Sequence, residues 1–467
     1  MSKKIIAVLW FLTLSVYGQS ENPNVVFILT DDLGAKDLSC LGSEVYESPN
    51  IDKLGAEGMI FTQAYSPHPR CVPSRYGMIT GRYPARVGCP GKWDWSGDEY
   101  TMSQAFKDAG YKTFFAGKWH LTKSKDGIYP EDVGFDINIG GGKAGSPRSF
   151  FAPYNKAVQP WHAKKAGIEG LDDAPEGEYL NDRLTDETIK FIKENKDQQF
   201  FVYLSHYAVH DPLQAKDKDS AYFKEKIDKM NWDGPDFIKE GTGYTRTKQN
   251  DEVYAGMIKN LDDNVGRIIN LLKELNLDEN TIIVFTSDHG GLSNKGYNDR
   301  ILATSNLPLR AGKGHCYEGG IKIPLIVKWP NIVKQGSMND QVVYGLDFYP
   351  TLLDAAQIRK TEKAKLDGES FYPALIGKEF NNNNREIFWH SPVGRPFSTG
   401  DTNVTVIREG DYKFFDFYDE GRQELYNIKN DFRETKNLIA EESEKAKELY
   451  NKIKDWRKDV NAYIKGK

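Results

Sequence analysis

Three carboxylates lie at the ends of two apolar runs, where they could bind a metal ion. Asp31 and Asp32 close the run NVVFILTDD, and Asp288 follows the strand-like part of NTIIVFTSDHGG. Adjacent carboxylates repel each other unless a cation neutralises them, and a single such pair more often forms a turn or a helix cap. The recurrence of the pattern in a second run favours a shared site for a hard divalent cation such as Ca²⁺, which prefers oxygen ligands.

A cysteine without a nearby partner lies in the stretch SPHPRCVPSRYGMITGRYPAR. No other cysteine stands beside Cys71 at the spacing of a zinc-binding pair. Pro73 is typical of the first turn of a helix, which predicts that Cys71 lies at the positive end of that helix, where an anion can be received. Two other interpretations stay open from the residues alone: a buried structural cysteine, or a thiolate nucleophile that would need a histidine base.

The elements that would position these residues alternate between strands and helices. NVVFILT, QFFVYLS and NTIIVFTS are continuously apolar, which is typical of strands buried on both faces of a parallel sheet. We therefore expect an α/β fold with a large, doubly wound, mainly parallel sheet flanked by helices. Helical patterns occupy 100–109, 182–195 and 252–275. Ligands of such sheets bind beyond the carboxyl ends of the strands, where the sequence places Asp31, Asp32, His210, Asp288 and His289.

The pattern of predicted strands and helices changes after about residue 380. NVTVIREGDYKFFDFYDEGRQELYNI predicts short antiparallel strands with turns at GD and EG, and SEKAKELYNKIKDWRKDVNAYI predicts one amphipathic helix. We therefore expect a small C-terminal α+β subdomain over 381–467, after an α/β domain over 19–380. The segment rich in lysine and aspartate from 211 to about 250 is interpreted as a surface insertion near the strand ends.

The chain has 467 residues and a net charge of −5 with mixed signs, so no basic face predicts a nucleic-acid partner. Its first 18 residues have Lys3 and Lys4, an apolar run and a small-residue ending, which predicts a secretory signal peptide rather than a buried helix. We expect an exported protein, periplasmic or secreted, with no membrane-spanning segment. If Cys71 has a special role, the remaining cysteines can form at most one disulfide: Cys40, Cys89 and Cys316.

The stretch CVPSRYGMITGR resembles the signature of the formylglycine-dependent sulfatases of the alkaline phosphatase superfamily. The matching positions are Cys71, Pro73, Ser74, Arg75, Thr80, Gly81 and Arg82. The resemblance extends over nearly all of the mature chain, through NVVFILTDDLG, AGKWHL, VHDP, SDHG, LRAGKGHCYEGGIKIP, DFYPTLLDAA and ELYNIKNDFRETKNL. It implies a sulfatase fold with hydrolysis of sulfate esters. It also implies that a formylglycine-generating or anaerobic sulfatase-maturating enzyme oxidises Cys71 to the aldehyde Cα-formylglycine.

The resemblance also implies a mechanism for that aldehyde. Its hydrate is a geminal diol, of which one oxygen attacks the sulfate sulfur while the second hydroxyl later allows sulfate to leave as the aldehyde re-forms. A serine has no second hydroxyl and would remain trapped as a sulfate ester. One Ca²⁺ ion would bind Asp31, Asp32, Asp288 and His289. The family often has asparagine in place of His289, and imidazole is not the ligand that Ca²⁺ prefers.

The same resemblance assigns roles to five further residues. Arg75 would hold the oxygens of the geminal diol, and Lys118 and Lys313 would contact the sulfate. His120 would take the proton that triggers release of sulfate, and His210, together with Lys313, would protonate the leaving alkoxide. The spacing of Lys118 and His120 predicts that both lie on one face of an extended segment.

The sequence also allows predictions for the other histidines and for several aromatic residues. His206 and His315 could reach the site, whereas we interpret His68, His162 and His390 as structural or surface residues, and Cys316 as a buried neutral thiol or half of a disulfide. Aromatic residues in loop-like sequence could stack on sugar rings: Trp93, Trp95, Tyr154, Trp161 and Trp232.

A sulfated carbohydrate is therefore the expected substrate, either an algal glycan such as ulvan or carrageenan or a glycosaminoglycan. The alternatives are a phosphodiesterase or phosphonate hydrolase of the same superfamily, and a catalytically silent glycan-binding relative. Phosphatases of that superfamily usually have serine or threonine as nucleophile, so the run Cys-Val-Pro-Ser-Arg favours sulfate. A silent relative would have lost Arg75, His120, His210 or Lys313, and all of them are present.

Overall fold

The computed structural model of the chain describes residues 22–122, 127–380, 382 and 384–465. The predicted signal peptide, residues 1–18, lies outside the described residues. Among the described residues, no helix has both the length and the apolar character that crossing a bilayer requires.

Strands and helices alternate along most of the described chain. The strands are β1 (Asn24–Thr30), β2 (Met59–Phe61), β3 (Ala64–Tyr65), β4 (Lys112–Gly117), β5 (Ile137–Ile139), β6 (Phe200–Ser205), β7 (Phe237–Glu240), β8 (Gly243–Arg246), β9 (Thr281–Ser287), β10 (Asn294–Lys295), β11 (Leu325–Lys328), β12 (Ser337–Asn339), β13 (Val343–Tyr344), β14 (Glu386–Ser391), β15 (Val404–Glu409), β16 (Tyr412–Phe417) and β17 (Arg422–Asn427). The α-helices are α1 (Pro49–Ala56), α2 (Cys71–Thr80), α3 (Met102–Asp108), α4 (Leu180–Glu194), α5 (Asp217–Asp228), α6 (Glu252–Glu274), α7 (Glu318–Ile321), α8 (Phe348–Ala355), α9 (Tyr372–Leu375) and α10 (Ser443–Asp459).

The central sheet has eight strands in the order β12-β2-β11-β9-β1-β6-β4-β5. β1 pairs in parallel with β6 and β9, and β4 pairs in parallel with β5 and β6. β11 runs antiparallel to β9 and β2. The expected α/β fold with a mainly parallel sheet is therefore confirmed.

Helices cover both faces of this sheet, which explains why its strands are apolar at every position. Side chains alternate along β1, so Val26 and Ile28 pack towards α1, α4 and α6, while Val25, Phe27 and Leu29 pack towards α2, α3 and α8. The predicted helices correspond to α3, α4 and α6, each within two residues of its predicted ends.

The end of the chain folds as expected into a small antiparallel sheet and a helix. β14, β15, β16 and β17 form a meander, and α10 packs its apolar face on β15 and β16 through Leu449, Ile453 and Trp456. The division of the chain at residue 380 stays a prediction.

The predicted surface insertion contains α5 and a hairpin of β7 and β8, to which β10 adds a third strand. The hairpin is largely exposed, whereas α5 buries Phe223 in the main core. The insertion is therefore a surface feature that α5 anchors to the main core through Phe223 and Ile227.

A buried charge cluster joins the C-terminal sheet to the central domain. The ammonium of Lys413 in β16 lies 2.9 Å from Glu318 of α7 and 2.8 Å from Glu434. The side chains of all three residues are at most 1% exposed.

Replacing Lys413 by methionine should lower the free energy of unfolding by about 3–5 kcal/mol, because two carboxylates would stay buried without their cation. Urea unfolding followed by tryptophan fluorescence measures the change. Lys429→Met is the matched control: that side chain is 72% exposed and only 3.5 Å from Asp411, so its loss should cost less than about 1 kcal/mol. Equal destabilisation by both substitutions would contradict the role given to Lys413.

Candidate active site

The three carboxylates meet because β1 and β9 are neighbours in register. Thr30 pairs with Ser287, so the residues that follow the two strands leave the sheet side by side. The main-chain N–H of Asp288 donates to the carbonyl of Thr30 at 3.0 Å, and the N–H of Asp32 donates to Asp288 Oδ1 at 3.3 Å. The predicted grouping of Asp31, Asp32, Asp288 and His289 at the carboxyl edge is what the structure contains.

The donor atoms of this group suit a hard cation. Oxygens of Asp31 and Asp32, Sγ of Cys71 and a ring nitrogen of His289 all lie within 4.8 Å of one another, and all four residues are buried. His289 Nδ1 donates to the carbonyl of Gly290 at 3.0 Å, which directs Nε2 at the carboxylates. Nε2 is 3.3 Å from Asp32 and 3.5 Å from Asp288 Oδ1. Three carboxylates and one imidazole are compatible with Ca²⁺.

The glycine directly after His289 allows two backbone segments to approach each other closely. Neither Gly290 nor Gly291 has a positive φ. A Cβ atom at Gly290 would lie only 1.9 Å from the carbonyl oxygen of Gly319. Glycine is required there because two backbone segments touch.

Three cations balance the three carboxylates. Lys118 Nζ lies 2.5 Å from Asp31, Lys313 Nζ lies 2.6 Å from Asp32, and Arg75 Nε donates to Asp288 at 2.9 Å. Burial raises the pKa of Asp31 well above its ordinary value, although Lys118 opposes this. Burial acts in the same direction on Asp32, but Lys313 and two histidines outweigh it and hold the pKa at about 2.

Position 71 lies directly against this cluster. Cys71 is the first residue of α2, as predicted, and its Sγ is 3.2 Å from His289 Nε2 and 3.7 Å from Asp31 Oδ1. Burial would raise the pKa of the thiol, but Lys118, Lys313 and His289 lower it well below its ordinary value. The environment therefore stabilises negative charge at this position, which is what an anionic nucleophile or a bound anion needs.

Arg75 retains an unused donor beside this position. Its Nη1 donates to the carbonyl of Lys118 at 2.8 Å and to Ser205 Oγ at 2.6 Å. Its Nη2 is buried, lies 3.8 Å from Asp31, and makes no hydrogen bond within the described parts of the chain. A rigidly held guanidinium with a free N–H is suited to bind an oxygen that arrives with the substrate or the nucleophile.

The backbone conformation at His120 differs from the one that the sequence predicts. Its φ is 59°, in the left-handed region, so the prediction of an extended segment from Lys118 to His120 is wrong. The main-chain N–H of His120 donates to the carbonyl of Gly142 at 2.9 Å, and a Cβ at Gly145 would lie 2.4 Å from its ring. Burial, the first cause, together with the neighbouring Lys118 lowers the pKa of His120, although a hydrogen bond to Cys71 opposes this. Since this pKa lies below 6.5, the ring is neutral at neutral pH.

His210 also faces the carboxylates. Its Nδ1 donates to the carbonyl of Asp211 at 2.8 Å, and its Nε2 lies 3.7 Å from Asp32. Burial, followed by the positive charge of Lys313, lowers the pKa of His210 to about 4. A negatively charged group placed between His210 and Lys313 would oppose that effect and raise this pKa.

Comparison with known proteins identifies the family. The profile of the sulfatase family matches residues 23–358, which is well over half of the chain. The chain belongs to the sulfatase family. The profile of the C-terminal region of N-sulphoglucosamine sulphohydrolase matches residues 312–460. The recognition made from CVPSRYGMITGR is confirmed, and the protein is a sulfuric ester hydrolase.

Individual relatives of this sulfatase cover nearly its whole length. A sulfatase of Formosa agariphila is 30% identical over 95% of this chain and 90% of its own. An N-acetylgalactosamine-6-O-sulfatase of Bacteroides thetaiotaomicron is 27% identical over 92% of each chain. The crystal structure of Ps i-CgsB with k-i-k-neocarrahexaose is 29% identical, covers 93% of each chain and superposes with a TM-score of 0.75.

Ser74 contributes to the sulfatase site in a way that the sequence did not reveal. Its hydroxyl donates to the carbonyl of Asp288 at 2.5 Å, which links the first turn of α2 to the end of β9. This serine therefore fixes the distance between position 71 and the carboxylates. Its place in the family signature was the only available signal.

The remaining histidines lie outside the carboxylate cluster. His315 Nε2 donates to the carbonyl of Thr399 at 2.9 Å, so it holds a neighbouring loop. His206 is fully buried. Burial lowers the pKa of its ring, and the charge that opposes this belongs to Asp182 of α4 rather than to a carboxylate of the site. His206 is therefore a core residue. As expected for structural residues, three further histidines are buried: His68, His162 and His390.

The five aromatic residues that the sequence suggested as sugar-binding differ in their exposure. Trp95 and Tyr154 are buried, so they are not available to a sugar. Trp93 packs edge-on against Tyr76 and Trp95, and Trp232 is half-buried. Trp161 alone of the five is strongly exposed, at 59%.

The thiols do not form the disulfide that the sequence left open. Cys40 and Cys316 are free thiols in this structure. Burial raises the pKa of both to about 12, so they are neutral. The interpretation of Cys316 as a buried neutral thiol is confirmed.

Replacing His206 by leucine should flatten the pH dependence of stability in acid. Burial lowers the pKa of His206 from 6.5 to about 4. This group therefore contributes full stability above pH 6.5 and loses it as the pH falls through 4, by about 3 kcal/mol in total.

Urea unfolding at several pH values between 7 and 4 tests this prediction. The variant should lose less stability than the native protein over that interval. It should also release sulfate at the native rate, because the ring lies outside the site. An unchanged pH profile of stability, or a large loss of activity in a folded variant, would contradict the assignment.

Proposed function

We propose that this sulfatase hydrolyses sulfate esters of a sulfated polysaccharide or its oligosaccharides. The proposal includes Cα-formylglycine formed from Cys71 and one Ca²⁺ ion held by Asp31, Asp32, Asp288 and His289. One observation carries it: Cys71 begins α2 with its Sγ 3.2 Å from His289 and 3.7 Å from Asp31, inside the carboxylate cluster. The glycan would be an algal one such as carrageenan or ulvan, or a glycosaminoglycan. Two similar proteins support a carbohydrate: one is named an N-acetylgalactosamine-6-O-sulfatase, and the structure of Ps i-CgsB contains k-i-k-neocarrahexaose.

Formylglycine and Ca²⁺ would each supply one kind of chemistry. Hydrated formylglycine would supply one oxygen to attack sulfur and a second hydroxyl whose deprotonation lets sulfate leave without attack by water. Ca²⁺ would act as a Lewis acid that stabilises negative charge on the sulfuryl oxygens. The carboxylates that would hold this ion are already gathered by the register of β1 and β9.

The chain itself supplies the positive charge that the transition state requires. Arg75 Nη2, Lys118 and Lys313 surround position 71, and all three side chains are at most 9% exposed. Fixed cations in such a dry site stabilise developing negative charge more strongly than cations in water do. The N-terminus of α2 adds its partial positive charge at the same point.

Two histidines would transfer protons, one at the nucleophile and the other at the leaving group. The neutral ring of His120 can accept the proton from the second hydroxyl at position 71. His210 would donate a proton to the leaving alkoxide. The bound sulfate opposes the effect of Lys313 and raises the pKa of His210 towards the range in which it can carry that proton.

Export and maturation complete the proposal. Residues 1–18 would direct the chain to the periplasm or the medium. A formylglycine-generating or anaerobic sulfatase-maturating enzyme of the host would oxidise Cys71. N-terminal sequencing of protein from each cell fraction tests the first point, and the mass of the peptide that contains residue 71 tests the second.

Replacing Cys71 by alanine should abolish sulfate release. The native protein, co-expressed with a maturating enzyme, should release sulfate from at least one class of sulfated glycan, as measured by ion chromatography. Removal of Ca²⁺ by a chelator should lower the native rate by about 100-fold or more, and added Ca²⁺ should restore it. Sulfate release by Cys71→Ala would refute the proposed nucleophile, and a chelator-resistant rate would refute the proposed metal.

Replacing His210 by alanine should affect poor leaving groups more than good ones. A sugar alkoxide needs a proton on departure, whereas 4-nitrophenolate does not. The value of kcat/KM should fall by about 100-fold or more for a glycan sulfate and much less for 4-nitrophenyl sulfate. Equal losses on both substrates would show that His210 is not the acid.

A further inference from the structure

A loop of the C-terminal subdomain, residues 393–401, is fastened to both sides of the active site. Arg70, the neighbour of Cys71, pairs with Asp401 and donates to the carbonyl of Val393 at 2.6 Å. The carbonyl of Thr399 accepts hydrogen bonds from His315 at 2.9 Å and from Asn294 at 2.6 Å. Since Arg70 directly precedes Cys71 and His315 follows Lys313 by two residues, this loop is held beside both segments.

Arg395 on this loop has an unpaired charge. Its carbonyl accepts hydrogen bonds from the N–H groups of Ser398, Thr399 and Gly400 at 3.0–3.1 Å, so its backbone is fixed. Its guanidinium makes no hydrogen bond or ion pair with any residue that the structure describes. A charged side chain on an anchored turn, without a protein partner, is available to an anion.

Other cations near Arg395 are incompletely neutralised. Asp401 already pairs with Arg70. Asp211 is shared by Lys165 at 2.8 Å and Arg300 at 3.2 Å. Desolvation, and then the charge of Arg70, lowers the pKa of Arg395, and Arg300 adds to this effect, although Asp401 and Cys71 oppose it. Arg70, Lys165 and Arg300 therefore share the carboxylates of Asp401 and Asp211, and Arg395 has no partner among the described residues. The excess positive charge attracts negative charge.

Two exposed aromatic rings lie on the same loops. The N–H of Gly296 donates to the carbonyl of Ser398 at 3.1 Å, so the loop after β10 lies against the loop of Arg395. A Cβ at Gly296 would lie 1.9 Å from the carbonyl oxygen of Pro396, so the two backbones are in direct contact. Tyr297 is 69% exposed and Phe397 is 66% exposed. Two exposed aromatic rings on adjoining loops, beside an unpaired cation, form a surface that can bind a ligand.

We propose that Arg395 and Arg300, with the exposed rings of Tyr297 and Phe397, form a rim that binds a second anionic group of the substrate. That group is a sulfate or a carboxylate on a sugar other than the one that loses its sulfate. The inference rests on the proposed function, because it deepens it: the substrate is polyanionic. Arg395 binds the second anionic group, and the aromatic rings stack on the apolar faces of the neighbouring sugars.

Binding to the inactive variant Cys71→Ala tests the rim without any need for turnover. The probes are a disulfated carrageenan tetrasaccharide, a chondroitin 6-sulfate disaccharide, the carboxyl-reduced form of that disaccharide, and an oligosaccharide whose only charged group is one sulfate. Affinities are measured by isothermal titration calorimetry with and without Arg395→Ala. Arg359→Ala is the matched control, since Arg359 is an exposed arginine beyond the end of α8.

Arg395→Ala should weaken the binding of polyanionic probes by about tenfold or more and the binding of the monosulfated probe by much less. Arg395→Lys should be intermediate, and Arg359→Ala should have no effect. A loss confined to the carboxylated disaccharide assigns a carboxylate, and a loss for the carrageenan probe assigns a sulfate.

Equal affinities with and without Arg395, an equal loss for all probes, or no binding of any probe would overturn the rim. The proposed function fails by a different result: no sulfate release from any sulfate ester by the matured native protein.

Discussion

The burial of three carboxylates at the carboxyl ends of two adjacent strands is the constraint on which the site depends. Asp31, Asp32 and Asp288 meet because β1 and β9 pair in register, and such a cluster is stable only with compensating charge. Lys118 and Lys313 supply part of that charge from two other segments. The same cations surround position 71, so the groups that neutralise the carboxylates also create a pocket for an anion.

The C-terminal subdomain participates in the site although none of the predicted catalytic residues belongs to it. Lys413 of β16 pairs with Glu318, only a few residues after Lys313, and Asp401 pairs with Arg70, directly before Cys71. The small sheet therefore helps to hold the segments around both sides of the reacting centre. This arrangement gives the subdomain a position from which its loops can select the substrate.

The carboxylate site could be predicted because buried strands have continuous apolar sequence and end at one edge. Cys71 was recognised as the proposed nucleophile because it stands in a dense local motif. Contacts between distant segments could not be predicted, as shown by Gly145 against the ring of His120. The left-handed φ of His120 could not be predicted either, because the neighbouring residues in the sequence do not require this conformation. Aromatic residues were assigned to the surface by sequence context alone, which failed for Trp95 because its packing partners are remote in the chain.

The most direct test of the central claim uses Cys71→Ser, produced in a host without a maturating enzyme and incubated with 4-nitrophenyl sulfate. A serine hydroxyl at position 71 can attack sulfur but has no second hydroxyl with which to expel sulfate. Intact-protein and peptide mass spectrometry should therefore show residue 71 carrying one added SO₃ group, with at most one turnover per chain. Multiple turnovers by this variant, with residue 71 unmodified, would contradict the claim that position 71 is the nucleophile and needs two hydroxyls.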